Sequence, residues 1–185
     1  MFHRGINKEH FKRRDLPHWD DPGRRQTLIY RLWDSIPQSK IQEIERLAAE
    51  NKWDAGDYTL RRLMEESLHH GYGCGLLKYP EIAKIVLQTW LKFDGKAYDL
   101  YEWVIMPNHV HLLIHARGGG VSLGSFIGYI KGRTSYKLGK YKNSNIWQRG
   151  YYDHIIRGRA DYQNTWDYIE NNPAKWADDE YYSEQ

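Results

Sequence analysis

The feature that most restricts this chain is a pair of apolar runs near its middle, YDLYEWVIM (residues 98–106) and HVHLLIHA (residues 109–116). Only Pro107 and Asn108 separate them. Aromatic and β-branched residues on both sides of so short a break specify two antiparallel strands joined by a tight turn. A single hairpin is at best marginally stable in water, so other elements must cover it. The flanking sequence offers them. Residues 26–33 (QTLIYRLW) predict a strand before the hairpin, and residues 153–157 predict a short one after it. Three helical patterns fill the stretch between the first strand and the hairpin. They carry Ile41, Ile44 and Leu47, then Leu60, Leu63, Met64 and Leu68 over residues 57–70, then Ile82, Ile85, Val86 and Leu91 over residues 80–93. Pro80 suits the first turn of the third. Residues 122–138 predict a helix with Leu123, Phe126, Ile127, Ile130 and Leu138 inward, and residues 159–172 a last helix that Pro173 is expected to stop. The order is β, helices, β, β, α, β, α. It predicts an α+β fold: an antiparallel sheet with helices packed on it and a helical insertion, residues 38–95, after the first strand.

A chain of 185 residues suits one domain, residues 1–185, in which residues 1–25 read as an irregular basic arm. The single cysteine, Cys74, excludes an internal disulfide framework and a cysteine zinc knuckle. No apolar run approaches the roughly 20 residues that span a bilayer, so no membrane partner is expected. MFHRGINKEHFKRR is basic but has no apolar stretch behind it, unlike a secretory signal. A cytoplasmic protein is the expectation.

The net charge of +3 hides a strong asymmetry. Residues 117–159 hold nine Lys and Arg against one Asp, whereas residues 160–185 hold one Lys against seven Asp and Glu. Tyr136, Tyr141, Trp147, Tyr151 and Tyr152 are interleaved with the basic stretch. Cations meet phosphates and aromatic faces stack on unpaired bases, so this stretch fits nucleic-acid contact as well as it fits a solvated charged face. Gly124, Gly128 and Gly132 recur at steps of four and form a smooth stripe on the predicted helix. Glycine lowers helix propensity, so something approaches the backbone closely there: packing on the sheet is the first expectation, and close passage of a DNA strand the second.

Two short patterns carry chemistry. His109 and His111 flank Val110 on a predicted strand, so both imidazoles point to one face, about 7 Å apart along the backbone. They can converge on one divalent cation, or they can be two histidines on the polar face of a half-buried strand. Val110, Leu112 and Ile114 point the other way, into a core. Tyr168 and Asn172 are four apart on the last helix and share a face. A phenol is a poor nucleophile near neutral pH, because its pKa is about 10. It becomes useful beside a cation or a base. An amide oxygen can complete the coordination of a hard cation. The plain alternatives are a tyrosine at a core edge and an asparagine displaced from helical geometry by the proline that follows it. No general base stands out.

Taken together, WVIMPNHVHLLI, NIWQRGYYDHIIRG and DYIENNPAKW resemble the REP-associated tyrosine transposases, a branch of the single-tyrosine HUH nucleases. The motifs M-P-N-H-x-H, W-Q-x-x-Y-x-D-x-I-I-R and Y-I-x-x-N-P stand in that family's order, and LPHWDDPG near the N-terminus fits the same branch. The resemblance implies a ferredoxin-like, RRM-like core. It implies that His109, His111 and Asn172 hold Mg²⁺ or Mn²⁺ and that Tyr168 is the nucleophile. It implies an enzyme that cuts single-stranded DNA beside a hairpin, leaving a 5′-phosphotyrosine and a 3′-OH that can rejoin another end. Lys131, Arg133, Lys137, Arg149 and Arg157 are then the expected DNA contacts. A homodimer that exchanges the tyrosine helix and a monomer both fit. The competing reading is a domesticated module on the same fold that grips structured single-stranded nucleic acid without cutting it.

Overall fold

The computed structural model describes residues 23–53, 57–117, 122–139 and 145–177. The basic arm expected at the N-terminus therefore lies, as far as residue 22, outside the described residues. The elements are β1 (Arg25–Arg31), α1 (Gln38–Asn51), α2 (Tyr58–His69), α3 (Pro80–Leu91), β2 (Tyr98–Ile105), β3 (His109–Ala116), α4 (Leu123–Leu138), β4 (Tyr152–Ile155) and α5 (Arg159–Ala177). Local chemistry sets several of their ends. Asp57 caps α2 by accepting from the Thr59 N–H at 2.7 Å, Ser122 caps α4 by accepting from the Ser125 N–H at 3.2 Å, and Pro80 opens α3.

The four strands form one antiparallel sheet in the order β2-β3-β1-β4. With α3 and α4 as the two crossover helices this is the βαββαβ, ferredoxin-like arrangement. Helices α1 and α2 are additional, inserted between β1 and α3; the insertion is thus shorter than the 38–95 expected, because α3 packs its Ile82, Val86 and Trp90 into the sheet's own core. On one face of the sheet, Leu28, Tyr30, Val110, Leu112 and Ile114 pack against Ile82, Val86 and Trp90 of α3 and Phe126, Ile127 and Ile130 of α4. The polar tips of the buried aromatic rings are satisfied. Trp90 Nε1 donates to Tyr30 Oη at 2.7 Å, Tyr98 Oη to the Trp90 carbonyl at 2.6 Å, and Trp147 Nε1 to Thr134 Oγ1 at 2.8 Å.

The opposite face carries His109, His111 and Leu113, and it is covered too. Ile169 of α5 packs on Val104, Met106 and Leu113, while Ile36 and Leu68 pack on Ile29 beside α1 and α2. So β3 is not the half-buried strand that its alternating pattern predicts. His109 and His111 are 0% and 1% exposed, because α5 and the insertion close over them.

Two further expectations are corrected. Gly128 and Gly132 do not pack on the sheet: a Cβ added at either would meet nothing within 4 Å. Phe126, Ile127, Ile130 and Leu138 fill the sheet-facing side of α4 instead. Pro173 does not stop the last helix, which runs on to Ala177. Proline's fixed φ is already helical, and its cost lies in the missing N–H and in crowding against the carbonyl four residues back, that of Ile169. Asn172 therefore keeps its helical position one turn beyond Tyr168.

The insertion is tied to the hairpin turn at a defined point. Asn108 is fully buried, and its Nδ2 donates to the Leu68 carbonyl at 3.0 Å and the Tyr72 carbonyl at 3.3 Å, at the end of α2. Gly73 follows with φ +89°, and a Cβ there would stand 2.6 Å from the Asp34 carbonyl oxygen. The end of α2 is thus pinned beside β1 and β3.

Candidate active site

The strand pattern builds the first half of the site. Asn108 Oδ1 lies 2.7 Å from His109 Nδ1 and can only accept, so His109 carries its proton on Nδ1 and turns an Nε2 lone pair inward. The Nε2 atoms of His109 and His111 are 2.9 Å apart. Burial holds His109 well below the usual imidazole range, and the neighbouring His111, His69 and Arg31 act in the same direction. A neutral imidazole is the form that binds a cation.

Helix α5 supplies the second half. The Tyr168 ring stands 5.4 Å from the His111 ring, centroid to centroid. Burial first, then the negative charge of Glu65, pushes the Tyr168 phenol above its ordinary value; the neighbouring Asn172 amide and the charge of Arg61 oppose this. The phenol is neutral at rest and must give up its proton as it attacks. Asn172 is fully buried, and its Nδ2 has no hydrogen-bond partner. An orphaned buried donor is costly, so its persistence marks a place where a ligand atom belongs.

These groups suit a hard divalent cation. Two ligands in adjacent positions of an octahedron, each about 2.1 Å from the ion, are about 3.0 Å apart, close to the separation of the two imidazole nitrogens. Asn172 adds an amide oxygen. Among the described residues no group of three or more His, Cys, Asp and Glu is arranged to hold an ion. An ion here would therefore rest on two imidazoles and one amide, leaving its other positions to water or substrate.

The structure brings His109, His111, Tyr168 and Asn172 into one place and separates the five expected DNA contacts. Lys131, Arg133 and Lys137 lie on α4, across the sheet from Tyr168. Lys131 and Arg149 line a cleft there of about 420 Å³. The Lys131 ammonium donates to the Gln148 carbonyl at 2.8 Å and also to that of Gly150. Arg157 alone shares the side of the tyrosine. It lines a cleft of about 620 Å³ at the start of α5 together with Arg24, Arg25, Arg159, Tyr101 and Tyr162, and no Asp or Glu is among the lining residues. The Arg25 guanidinium lies 4.9 Å from the Tyr101 ring centre and 5.0 Å from that of Tyr162.

Three contributions escaped the sequence reading. Asn108 reads as a turn residue, yet it orients His109. The arginine cleft draws on both ends of the chain. His69, the last residue of α2, puts its Nε2 at 3.2 Å from Asn172 Oδ1 and 3.5 Å from Tyr168 Oη. The motif M-P-N-H holds a signal for Asn108, whereas no local pattern marks His69.

A family model described as transposase IS200-like matches residues 81–172, the span that contains both histidines, Tyr168 and Asn172. A REP-associated tyrosine transposase of Escherichia coli strain K12 is 31% identical over 80 residues, 43% of this chain and 47% of that protein. A putative REP-associated tyrosine transposase of Haemophilus influenzae is 34% identical over 82 residues, 38% of this chain and 47% of that protein. The chain thus matches about half the length of these curated relatives. A solved structure of a REP-associated tyrosine transposase bound to a REP hairpin superposes with a TM-score of 0.53 at 18% identity, over 87% of this chain and 73% of that one, and shares its fold. The chain belongs to the IS200-like transposase family. Two of the curated relatives that it matches are named as REP-associated tyrosine transposases, one of them as putative. Among the described residues no helix is long and apolar enough to cross a membrane.

Proposed function

We propose that this protein is a metal-dependent single-strand DNA endonuclease and strand transferase that acts at hairpin-forming DNA through Tyr168. The observation that carries this reading is the meeting of a half-buried phenol, two buried strand imidazoles and an unsatisfied amide on one side of the sheet. His109, His111 and Asn172 would hold Mg²⁺ or Mn²⁺. When bound, the cation supplies Lewis acidity at the scissile phosphate and favours the phenolate over the phenol. Tyr168 Oη attacks phosphorus and forms an O–P bond as the bond from phosphorus to the 3′-oxygen breaks. The phenolic proton is released and the departing oxygen takes one up, giving a 3′-OH and a 5′-phosphotyrosine. Asn172 Nδ2 would donate to a phosphate oxygen. Because the phosphodiester is exchanged and not hydrolysed, rejoining to another 3′-OH needs no nucleotide cofactor.

The charged surfaces divide the DNA between them. Tyr162 in the arginine cleft is six residues from Tyr168, about 9 Å along the helix axis. The cleft would hold phosphates next to the scissile one. On the far side, Tyr129, Arg133 and Tyr136 form an exposed stripe on α4, with Tyr136 82% exposed. That stripe suits stacking and phosphate contact with the rest of a folded strand.

The test is incubation of the full chain with end-labelled hairpin DNA bearing single-stranded flanks, in Mn²⁺ or in chelator. A covalent protein–DNA adduct that needs the metal and disappears in Tyr168→Phe is expected. Tight hairpin binding with no adduct under any divalent metal would overturn the cleavage reading in favour of a non-cleaving module.

A further inference from the structure

One side chain enters the site from a part of the chain that the family match does not reach. The matched span begins at residue 81, whereas His69 ends α2 in the insertion before it. His69 is 103 residues from Asn172 and 99 from Tyr168 in sequence, yet its Nε2 contacts both. Its ring centre is also 6.1 Å from that of His109. An amide oxygen only accepts, so with Asn172 Oδ1 facing it the His69 Nε2 carries the proton and donates. The position of His69 is fixed by the same residue that orients His109. Asn108 Nδ2 holds the Leu68 carbonyl beside it, while Asn108 Oδ1 holds His109 Nδ1. One turn back on α2, Glu65 is paired with Arg61 at 3.0 Å, so this face of the helix is itself held in place.

We propose that His69 is a positioning residue supplied by the helical insertion, which donates from Nε2 to Asn172 Oδ1 and abuts Tyr168 Oη, fixing amide and phenol relative to the two strand histidines. The proposal rests on the site reading above. Its consequence is specific. An asparagine amide turns over a broad range about its terminal torsion. Anchored through one lone pair of Oδ1, it presents the second lone pair and the Nδ2–H in fixed directions. Without His69 the amide swings, and the phenol loses the contact that limits its approach. The inserted helix thus completes the site rather than decorating the fold.

The test compares the full-length wild type with His69→Leu and His69→Gln by three measurements. These are Mn²⁺ affinity by paramagnetic resonance titration without DNA, hairpin affinity in a Tyr168→Phe background, and single-turnover adduct formation at saturating DNA. Loss of a group that orients a metal ligand costs on the order of 10- to 100-fold in metal affinity or activity. His69→Leu is expected to weaken Mn²⁺ binding and slow adduct formation within that range while leaving hairpin affinity unchanged. His69→Gln, which keeps an N–H donor, is expected to recover most of both. Wild-type Mn²⁺ affinity and adduct rate in His69→Leu would overturn the proposal, and so would a His69→Gln variant no better than His69→Leu. Should the wild type form no adduct, the function reading fails, while the Mn²⁺ titration still decides the role of His69. Should His69→Leu melt early, the folded Gln variant and a His69→Asn variant carry the comparison.

Discussion

Asn172→Leu separates function from stability most sharply, because the two should move in opposite directions. In the metal-free protein the Asn172 Nδ2 is buried without a partner. Such a donor costs about 1–3 kcal/mol. The substitution removes that cost and inserts an apolar side chain of similar size beside Ile169. It also removes the contact with His69 at 3.2 Å, which contributes about 1 kcal/mol; His69 is only half-buried and can turn to water. The balance is a gain of about 1 kcal/mol, which raises the melting temperature by about 2–4 °C in a domain of this size. Urea denaturation in chelator measures it. With Mn²⁺ at about 100 times its dissociation constant the wild type gains about 2.7 kcal/mol, and the variant gains about 1.4 kcal/mol less if its affinity is tenfold weaker. Adduct formation should fall with metal affinity. A loss of about 2 kcal/mol or more in the metal-free variant would show that Asn172 is structural, and would refute the argument from its unsatisfied amide.

Three further outcomes follow from the same geometry. Burial, and next to it the charge of Arg31, lowers Lys131 from 10.5 to about 8. The unfolded chain therefore holds a proton that the native state releases, and stability should rise by about 2 kcal/mol from about pH 8 to about pH 10, with Lys131→Met flattening the rise in urea midpoints. Asn108→Ala frees the His109 ring and leaves the Leu68 carbonyl without its side-chain donor. Mn²⁺ affinity by titration should fall about 10- to 100-fold, and urea denaturation should show a loss of about 1–3 kcal/mol. Arg25→Ala in the cleft should weaken single-strand binding and reduce the slope of log affinity against log salt by about 0.7, measured by fluorescence anisotropy at several salt concentrations.

The framework was legible because it is encoded locally. Alternation in the two central runs gave the hairpin, and 3.6-residue periodicity gave each helix within a few residues. The His109–His111 pair and the Tyr168–Asn172 pair are also local, spaced at two residues on a strand and four on a helix, so their shared faces could be read directly. What was not legible depends on which element covers which face. Leu113 shares the parity of the histidines, but only the docking of α5 and α2 turns that parity into burial. The glycine stripe of α4 reads as a sheet contact, although larger apolar residues on the same helix have the stronger claim to that face. The positive charge of residues 117–159 is continuous in sequence and divided in space, because α4 and α5 lie on opposite sides of the sheet. His69 is illegible for the same reason: a histidine at a helix end acquires its role only when the chain, about a hundred residues later, brings Tyr168 and Asn172 beside it.

The central claim is that Tyr168 attacks the phosphodiester. Proteolysis of the protein–DNA adduct, nuclease trimming and mass spectrometry of the modified peptide test it most directly. A nucleotide linked through phosphate to Tyr168 is expected in the peptide containing DYIENNP. The same mass on Tyr151, Tyr152 or Tyr162, or an adduct that survives in Tyr168→Phe, would contradict it.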